Sequence, residues 1–515
     1  MRVRRTPDAT ALLRLYARLR LHRLQRMDGV ATQRKLLLRL VARARSTDFG
    51  RAHRFDLVDD VDTFQSSVPL RRYEDFWRDW WEPAFPRLKG VSWPEKIPFF
   101  AVSSGTTSGT SKYLPLTKAM IRANNKAGFD LLSFHLHHKP DSRVFGGKSF
   151  MLGGSTRLKE EAPGIRSGDL SGIMAAMQSP VLRPLIFPPR RLAAMADWEA
   201  KVDAIARAAL DVDVRAIAGT PSWLLLQLER IRTLRGPDGP LFPNLSILVH
   251  GGIAFGPYRR RFEEVLNDPD VDFREVYPAS EGFLAVADRG PEQGMRLNLD
   301  HGVFYEFVPV EELDAERPTR HWIANVQPDV NYAVVLSTAA GLWSYVLGDT
   351  VRFVETRPPR VLVTGRTSYM MSAFGEHLIA EEVETAVAAA AAEQGADVTD
   401  YTLGAVFPVR EGDLGHHRLL IEFRSPLADP AAFAAKFDSI LIERNDDYRA
   451  HREGGFGLGP PQVVPVSAGA FNAWMAASGR LGGQNKVPRI LTDRDRFAQL
   501  DAFLTGRAQE GGTQR

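Results

Sequence analysis

Five short stretches hold residue types that suit phosphoryl chemistry. Residues 103–112 read SSGTTSGTSK, nine consecutive Ser, Thr or Gly and then Lys112. Small residues let backbone N–H groups approach a ligand closely, hydroxyls add donors, and the lysine adds positive charge, which is what a polyanionic phosphate needs. A flexible Ser/Gly linker has the same composition, but this run lies between the apolar, strand-like IPFFAV (97–102) and YLPLT (113–117). It is not a Walker A loop, because three residues separate Gly105 from Gly109 and Tyr follows Lys112. In EVYPASEGFLAV (275–286) an apolar strand pattern runs into Tyr277, then Ser280 and Glu281. The C-terminal end of a strand is where open α/β sheets place ligand-binding groups. GLWSYVLGDTVRF (341–353) sets Gly348-Asp349 in an expected turn between apolar segments, and GRTSYMMSAFGEHLIAEEVE (365–384) and GGQNKVPRI (482–490) complete the series.

Singly, each has an ordinary reading: Asp349 as a turn residue, Glu281 as an acid at a helix N-terminus, Lys486 as a surface lysine. His135 and His138 in FHLHHKP (134–140) are one helical turn apart, a spacing that zinc ligands use. With no cysteine in support and a Lys-Pro loop following, the expectation there is a solvated helix end.

The elements that must position these groups follow from pattern and composition. At 515 residues the chain is too long for one typical core. Its 44% hydrophobic and 25% charged content is that of an ordinary soluble protein. The net charge of +4, despite a pI near 9.2, gives no reason to expect nucleic acid as a partner. The absence of cysteine excludes disulfides, thiolate metal sites and a cysteine nucleophile, and fits a reducing, cytoplasmic compartment. No apolar run approaches the roughly 20 residues that span a bilayer. The arginine-rich N-terminus (MRVRRTPDATALLRLYARLRLHRLQRM) lacks the apolar core and cleavage site of a signal peptide. It reads as an amphipathic helix with a solvated basic face, the alternatives being a transit peptide or a membrane-surface helix.

Helical patterns dominate residues 10–45. From about 97 to 353, short apolar strands alternate with helices, as in VRAIAGT (214–220) before PSWLLLQLERI and LSILVHGG (245–252) before YRRRFEEVL. The alternation predicts a large N-terminal α/β domain of helix-covered sheets, over residues 1–364. The proline-bearing ETRPPRVLVTGR (355–366) marks a boundary. Beyond it, strands at YTLGAVF, HRLLIEF and QVVPV and helices at 381–395, 430–444 and the C-terminus predict a small α+β domain over 365–515, with a disordered polar tail.

The order of the motifs, from the Ser/Thr/Gly loop through aromatic-x-x-Ser-Glu, Tyr-x-x-Gly-Asp and Gly-Arg to a late glycine-rich lysine, resembles the adenylate-forming superfamily. Within it the chain is similar to the auxin-responsive promoter family of acyl acid–amido synthetases, from about residue 30 onward. SSGTTSGTSKYLPLT, YPASEG, YEFVPV (305–310), YVLGD and QNKVPR carry that resemblance. Two positions depart from the pattern: Ser344 stands where family members often have Arg, and Thr367 where many superfamily members have Asp.

The resemblance implies an ATP-dependent ligase that makes an acyl-adenylate from a carboxylic acid and passes the acyl group to an amine, an amino acid. It implies that Ser103, Ser104, Gly105, Thr106, Thr107 and Ser108 wrap the phosphates, that Glu281 binds Mg²⁺ and that Ser280 contacts the α-phosphate. Gly251 and Gly252 would let the backbone reach the adenine, Tyr277 pack on its ring, Asp349 accept from the ribose hydroxyls, and Arg366 and Lys486 bring positive charge. Lys486 and Glu281 are the expected catalytic residues. The resemblance also implies a barrel-like portion in the large domain and a mobile small domain that would turn about Gly365-Arg366 between half-reactions. That turn would let His377 approach the acceptor; the alternative for His377 is an ordinary helix-entry residue. An acyl-CoA or acyl-carrier thioester ligase shares the first half-reaction. A catalytically inactive nucleotide sensor or scaffold is the third reading, and joint retention of Glu281, Asp349 and Lys486 argues against it.

Overall fold

The computed structural model describes residues 8–104, 111–152, 157–180, 182–195, 198–252, 255–290, 293–367, 378–407, 414–445, 448–449, 452, 458–478 and 486–506. Gly105, Thr106, Thr107, Ser108, His377 and the tail from residue 507 therefore lie outside the described residues. The chain divides into two compact units, Met1–Ile253 with Glu263–Leu362, and Ala254–Phe262 with Val363–Arg515. The architecture is mixed α/β, with the larger unit N-terminal.

The first unit opens with helices α1 (Thr10–Gln25) and α2 (Gly29–Ala44), the latter capped by the Asp28 carboxylate accepting from Ala31 N. Strands β1 (Phe99–Ser104) and β2 (Ser111–Leu116) form an antiparallel hairpin that leads into α3 (Lys118–His138), capped by Thr117. Then come β3 (Lys148–Met151), β4 (Lys159–Ala162), β5 (Ile165–Gly168), β6 (Ile186–Phe187) and β7 (Val214–Gly219). Helix α4 (Pro221–Arg235), β8 (Ile247–Gly251) and α5 (Gly256–Leu266) precede β9 (Asp272–Ala279), β10 (Gly282–Val286) and β11 (Met295–Leu297). Strands β12 (Val303–Pro309), β13 (His321–Trp322), β14 (Asn331–Thr338), β15 (Tyr345–Thr356) and β16 (Pro359–Arg366) follow.

Twelve described strands make one large sheet in the order β13-β12-β14-β15-β16-β11-β10-β9-β8-β7-β3-β6. From β6 to β9 neighbouring strands run parallel, as helix-linked α/β strands do. At β9 the direction reverses. Ala279 pairs with Gly282, so Ser280 and Glu281 form a two-residue turn into antiparallel β10. Every residue of β12 is buried, and Gln33 of α2 satisfies backbone groups at its edge: Nε2 donates to Leu299 O (2.8 Å) and Val303 O (2.9 Å), and Oε1 accepts from Tyr305 N (3.0 Å). A buried aromatic group that includes Phe49, Phe76, Trp81 and Trp343 fills the adjoining core. Both indoles find acceptors on Ser92, Trp81 on the hydroxyl (3.1 Å) and Trp343 on the carbonyl (3.0 Å).

Helix α1 packs on α3 through Leu13, Ala17 and Leu24 and through the buried Arg20. Arg20 reaches Asp130 at 2.7 Å and Asp300 at 2.8 Å, Lys126 reaches Asp300 at 2.7 Å, and the His301 ring lies 3.1 Å from each carboxylate. Burial alone raises the pKa of both aspartates; the His301 ring and the Arg20 guanidinium beside them outweigh it and hold both below the ordinary carboxylate value. The outer face of α1 differs from the solvated basic face expected of it. Leu12, Leu15 and Leu19 are exposed there beside the arginines, because leucines occur on both sides of this helix. The α3 terminus also departs from a wholly solvated end. His137 and His138 are exposed, but His135 is fully buried, its ring nitrogens meeting Asp272 Oδ2 (2.7 Å) and Ser142 Oγ (2.8 Å).

The second unit has a four-stranded sheet, β19 (Gln462–Val466), β18 (His416–Phe423), β17 (Val398–Val406) and β20 (Ile490–Leu491), with an antiparallel centre and parallel edges. Helices α6 (Ala380–Gln394) and α7 (Pro430–Arg444) cover one face over Leu403, Leu419 and Ile421; α8 (Ala470–Ala477) and α9 (Arg494–Leu504) cover the other over Leu420. The alternation of Leu419, Leu420 and Ile421 between faces is the period-two signature of a strand covered on both sides.

The Arg20 cluster yields a prediction about stability. Arg20→Ala strands two buried carboxylates with Lys126 and His301, and removing one partner of such a pair costs about 3–5 kcal/mol. Because both aspartate pKa values are depressed in the folded protein, their contribution is present above the unfolded carboxylate value of about 3.9 and is lost as pH falls below it. Thermal denaturation should therefore show a gap between parent and variant that is wide at neutral pH and narrows below about pH 4. A gap independent of pH would place the loss in packing.

Candidate active site

The two central motifs meet at the β9–β10 turn and within β15. Glu281 follows β9 and is 8% exposed; Asp349 lies within β15 and is 9% exposed. Asp349 does not sit in the turn expected from sequence. Ala333 pairs with Thr350 and Val335 with Val346, so Leu347, Gly348 and Asp349 stand opposite Val334 alone. The strand continues through a bulge, with Gly348 at φ 93°, a conformation that favours glycine. A bulge re-aims the side chain it carries. Here it presents Asp349 to Tyr277, whose hydroxyl donates to Asp349 Oδ2 at 2.8 Å.

Glu281 has the reciprocal partner. The buried Tyr345, at the start of β15, donates its hydroxyl to the Glu281 carboxylate. Burial pushes the Glu281 carboxyl above its ordinary value and the Asp349 charge adds to this, while a backbone hydrogen bond, the Tyr345 hydroxyl and the Lys112 charge act against it. The two motifs share one spacing, tyrosine then acid four residues on, and each tyrosine serves the other motif's acid. Tyr345 was not singled out from the sequence. The repeated Tyr-x-x-x-acid spacing in YPASE and YVLGD was the available signal.

Ser103 is half-buried in β1 and pairs in register with Lys112, and Ser104 pairs with Ser111, so the hairpin fixes both ends of the Ser/Thr/Gly run. Lys112 Nζ lies 5.3 Å from the Tyr73 ring centre and 3.9 Å from Glu74. Ser280 is half-buried in the turn beside Glu281. Gly251 ends β8 where a Cβ would come within 2.3 Å of Val276 O, so close strand packing already demands glycine there, and Gly252 follows at φ 85°. Ser344, the first departure from the family pattern, is fully buried: it donates to Glu306 Oε2 (3.0 Å) and accepts from Arg320 (2.7 Å). A guanidinium thus stands beside this position although the residue itself is serine.

Arg366 and Lys486 belong to the second unit. Arg366 is half-buried as the last residue of β16, and Lys486 is exposed. Three residues after Lys486, the buried Arg489 anchors the segment: it pairs with Asp400, donates to Tyr401 O (3.1 Å) and lies 4.2 Å from the Tyr401 ring centre.

Among the described residues, one group of three side chains has ligand atoms close enough to share a metal ion: Asp130, Asp300 and His301. Arg20, Lys126, Tyr16 and His301 already engage all four carboxylate oxygens there, which leaves no anionic cage for a cation. Glu281 belongs to no such group. A single oriented carboxylate suits Mg²⁺, which is usually held by one or two carboxylates together with substrate phosphates and water.

GH3 family models match the chain in three parts: the N-terminal domain over residues 20–187, the central domain over 297–366 and the C-terminal domain over 381–495. Jasmonoyl-L-amino acid synthetase JAR4 of Nicotiana attenuata is 21% identical over 447 residues, covering 73% of this chain and 76% of that enzyme. Indole-3-acetic acid-amido synthetase GH3.3 of Arabidopsis thaliana is 23% identical over 239 residues, which span 44% of this chain and 40% of that relative. The solved structure of AtGH3.15 acyl acid amido synthetase in complex with 2,4-DB shares the fold with a TM-score of 0.78 at 18% identity, over 98% of both chains. That of 2-hydroxyisobutyryl-CoA ligase in the postadenylation state has a TM-score of 0.62 at 14% identity, over 93% of this chain and 92% of that one. The chain belongs to the GH3 family.

Proposed function

We propose that this chain is an ATP-dependent ligase that joins a carboxylic acid to the amine of an amino acid. In the first half-reaction a carboxylate oxygen of the acid bonds to the α-phosphorus of ATP and pyrophosphate leaves. In the second, the amine attacks the acyl carbon, loses a proton, and AMP leaves with the bridging oxygen. The observation that carries this reading is the crossed pair Tyr277–Asp349 and Tyr345–Glu281, which holds two buried carboxylates ready for a nucleotide.

The roles follow from chemistry. Asp349, oriented by Tyr277, accepts from the ribose hydroxyls, and the Tyr277 ring packs on the adenine beside Gly251 and Gly252. Glu281, oriented by Tyr345, holds Mg²⁺, which neutralises phosphate charge when bound. Ser280 and residues 103–108 donate to phosphate oxygens, with Lys112 at the end of that loop. Arg366 and Lys486 supply positive charge, Lys486 where charge gathers around the α-phosphate. Transfer to a thiol in place of an amine is the second reading, favoured by the fold shared with the CoA ligase. A pyrophosphate-release screen of carboxylic acids, with mass spectrometry of products formed from pooled amino acids or coenzyme A, tests both. Amides formed with acid-dependent pyrophosphate release are expected; thioesters alone would overturn the amide assignment.

Glu281→Gln should keep the fold and lose most acid-dependent pyrophosphate exchange. Tyr345→Phe should raise the Mg²⁺ concentration needed for half-maximal rate, since a hydrogen bond to a charged group is worth about 1.5–3 kcal/mol. Normal exchange in Glu281→Gln would show that the ion is held elsewhere.

Lys486→Ala separates the half-reactions. Adenylation should fall on the order of 10²-fold or more, as when one positioned electrostatic group is removed. Conversion of a supplied acyl-adenylate with the amine should persist, because in adenylate-forming enzymes the small domain carries this lysine away before transfer. Equal loss in both steps at an unchanged melting temperature would contradict that division of labour.

A further inference from the structure

The outward face of α1 has no task in the chemistry above. Leu12, Leu15 and Leu19 are 74%, 59% and 69% exposed, far more than the large apolar side chains that pack this unit. At 3.6 residues per turn these leucines fall on one line, flanked by Arg18 and Arg23 and continued by His22 and Arg26, all within an arc of about 140°. All four of those residues are exposed. Arg18, Arg23 and Arg26 form no ion pair with any described residue, and no acidic residue occurs between Asp8 and Asp28.

The helix cannot hide these leucines by rolling over. Leu13, Ala17 and Leu24 are buried against the body of the unit. Arg20 is held by the Asp130 and Asp300 carboxylates, and the Tyr16 hydroxyl reaches Asp130 at 3.2 Å. The opposite face is therefore presented rigidly.

We propose that this face docks on an anionic lipid surface, the leucines entering the acyl boundary and the arginines meeting the head groups. Apolar residues rimmed by arginine on a helix lying in the interface plane are the general form of such contacts. Charge decides against a second copy of the chain as the occupant. Pairing two such faces would bring arginines together with no acid on either helix to neutralise them.

The test uses the full chain and sedimentation with vesicles of equal parts phosphatidylglycerol and phosphatidylcholine, against vesicles of phosphatidylcholine alone. Binding to the anionic vesicles only is expected, weakening with salt. The double variants Leu15→Gln/Leu19→Gln and Arg18→Gln/Arg23→Gln should each reduce it about tenfold or more while leaving pyrophosphate exchange unchanged. No binding at low salt would overturn the proposal, and so would binding that survives the leucine substitutions. A dimer seen by light scattering that dissociates in the leucine variant would overturn it in favour of self-association. Equal or tighter capture of a single-stranded oligonucleotide through the same arginines would overturn it in favour of nucleic acid.

Discussion

Two carboxylates buried in one unit are the constraint around which the site is built. A buried carboxylate is driven toward its neutral form unless hydrogen bonds or opposite charge hold it. Here burial pushes the Glu281 carboxyl above its ordinary value against the Tyr345 hydroxyl, and the Tyr277 hydroxyl donates to Asp349, so each acid meets a tyrosine from the other's motif. Neither motif is complete alone. The crossing also couples them mechanically, because a shift of β15 relative to β9 would disturb both acids together.

That coupling depends on how the large sheet changes character. Parallel strands from β6 to β9 bring the Gly251 and Tyr277 ends to the same edge, as α/β sheets do. The reversal at Ser280-Glu281 then lets antiparallel strands β10 to β16 continue the sheet, and the bulge in β15 turns Asp349 toward Tyr277. The close approach of Gly251 to Val276 draws the last residues of β8 against β9. Away from the site, Gln33 and the Arg20 cluster fasten the N-terminal helices to this sheet by satisfying backbone and carboxylate groups that would otherwise be buried without partners.

Much of the fold was legible because its signals are local. Alternating strands and helices from residue 97 to 266, the helix at 430–444 and strands at 401–407, 417–423 and 462–466, each within a residue or three of the observed bounds, follow from periodicity and breakers in the sequence. From 272 to 353 the expected alternation gives way to successive strands with no α-helix among the described residues. The chemistry-bearing stretches were legible from residue type and order. What was not legible depends on contacts distant in sequence. Asp349 reads as a turn residue next to glycine until its partner strand reveals the bulge. Tyr345 reads as one more core aromatic until Glu281 is brought to it across 63 intervening positions of sequence. His135 reads as part of a solvated histidine run until Asp272 and Ser142 enclose it. Exposed leucines on α1 were hidden for a related reason: with leucines on both sides of the helix, periodicity cannot say which side packs.

The central claim is that the acid is activated through its own oxygen at the α-phosphorus before an amine takes the acyl group. It is tested most directly by running the complete reaction with a substrate acid labelled with heavy oxygen in its carboxylate, and by following the label with mass spectrometry. The account predicts that each turnover leaves one labelled oxygen in AMP and one in the amide carbonyl, with none in pyrophosphate. Label in inorganic phosphate accompanied by ADP would show activation at the γ-phosphorus instead, and would contradict the adenylate mechanism.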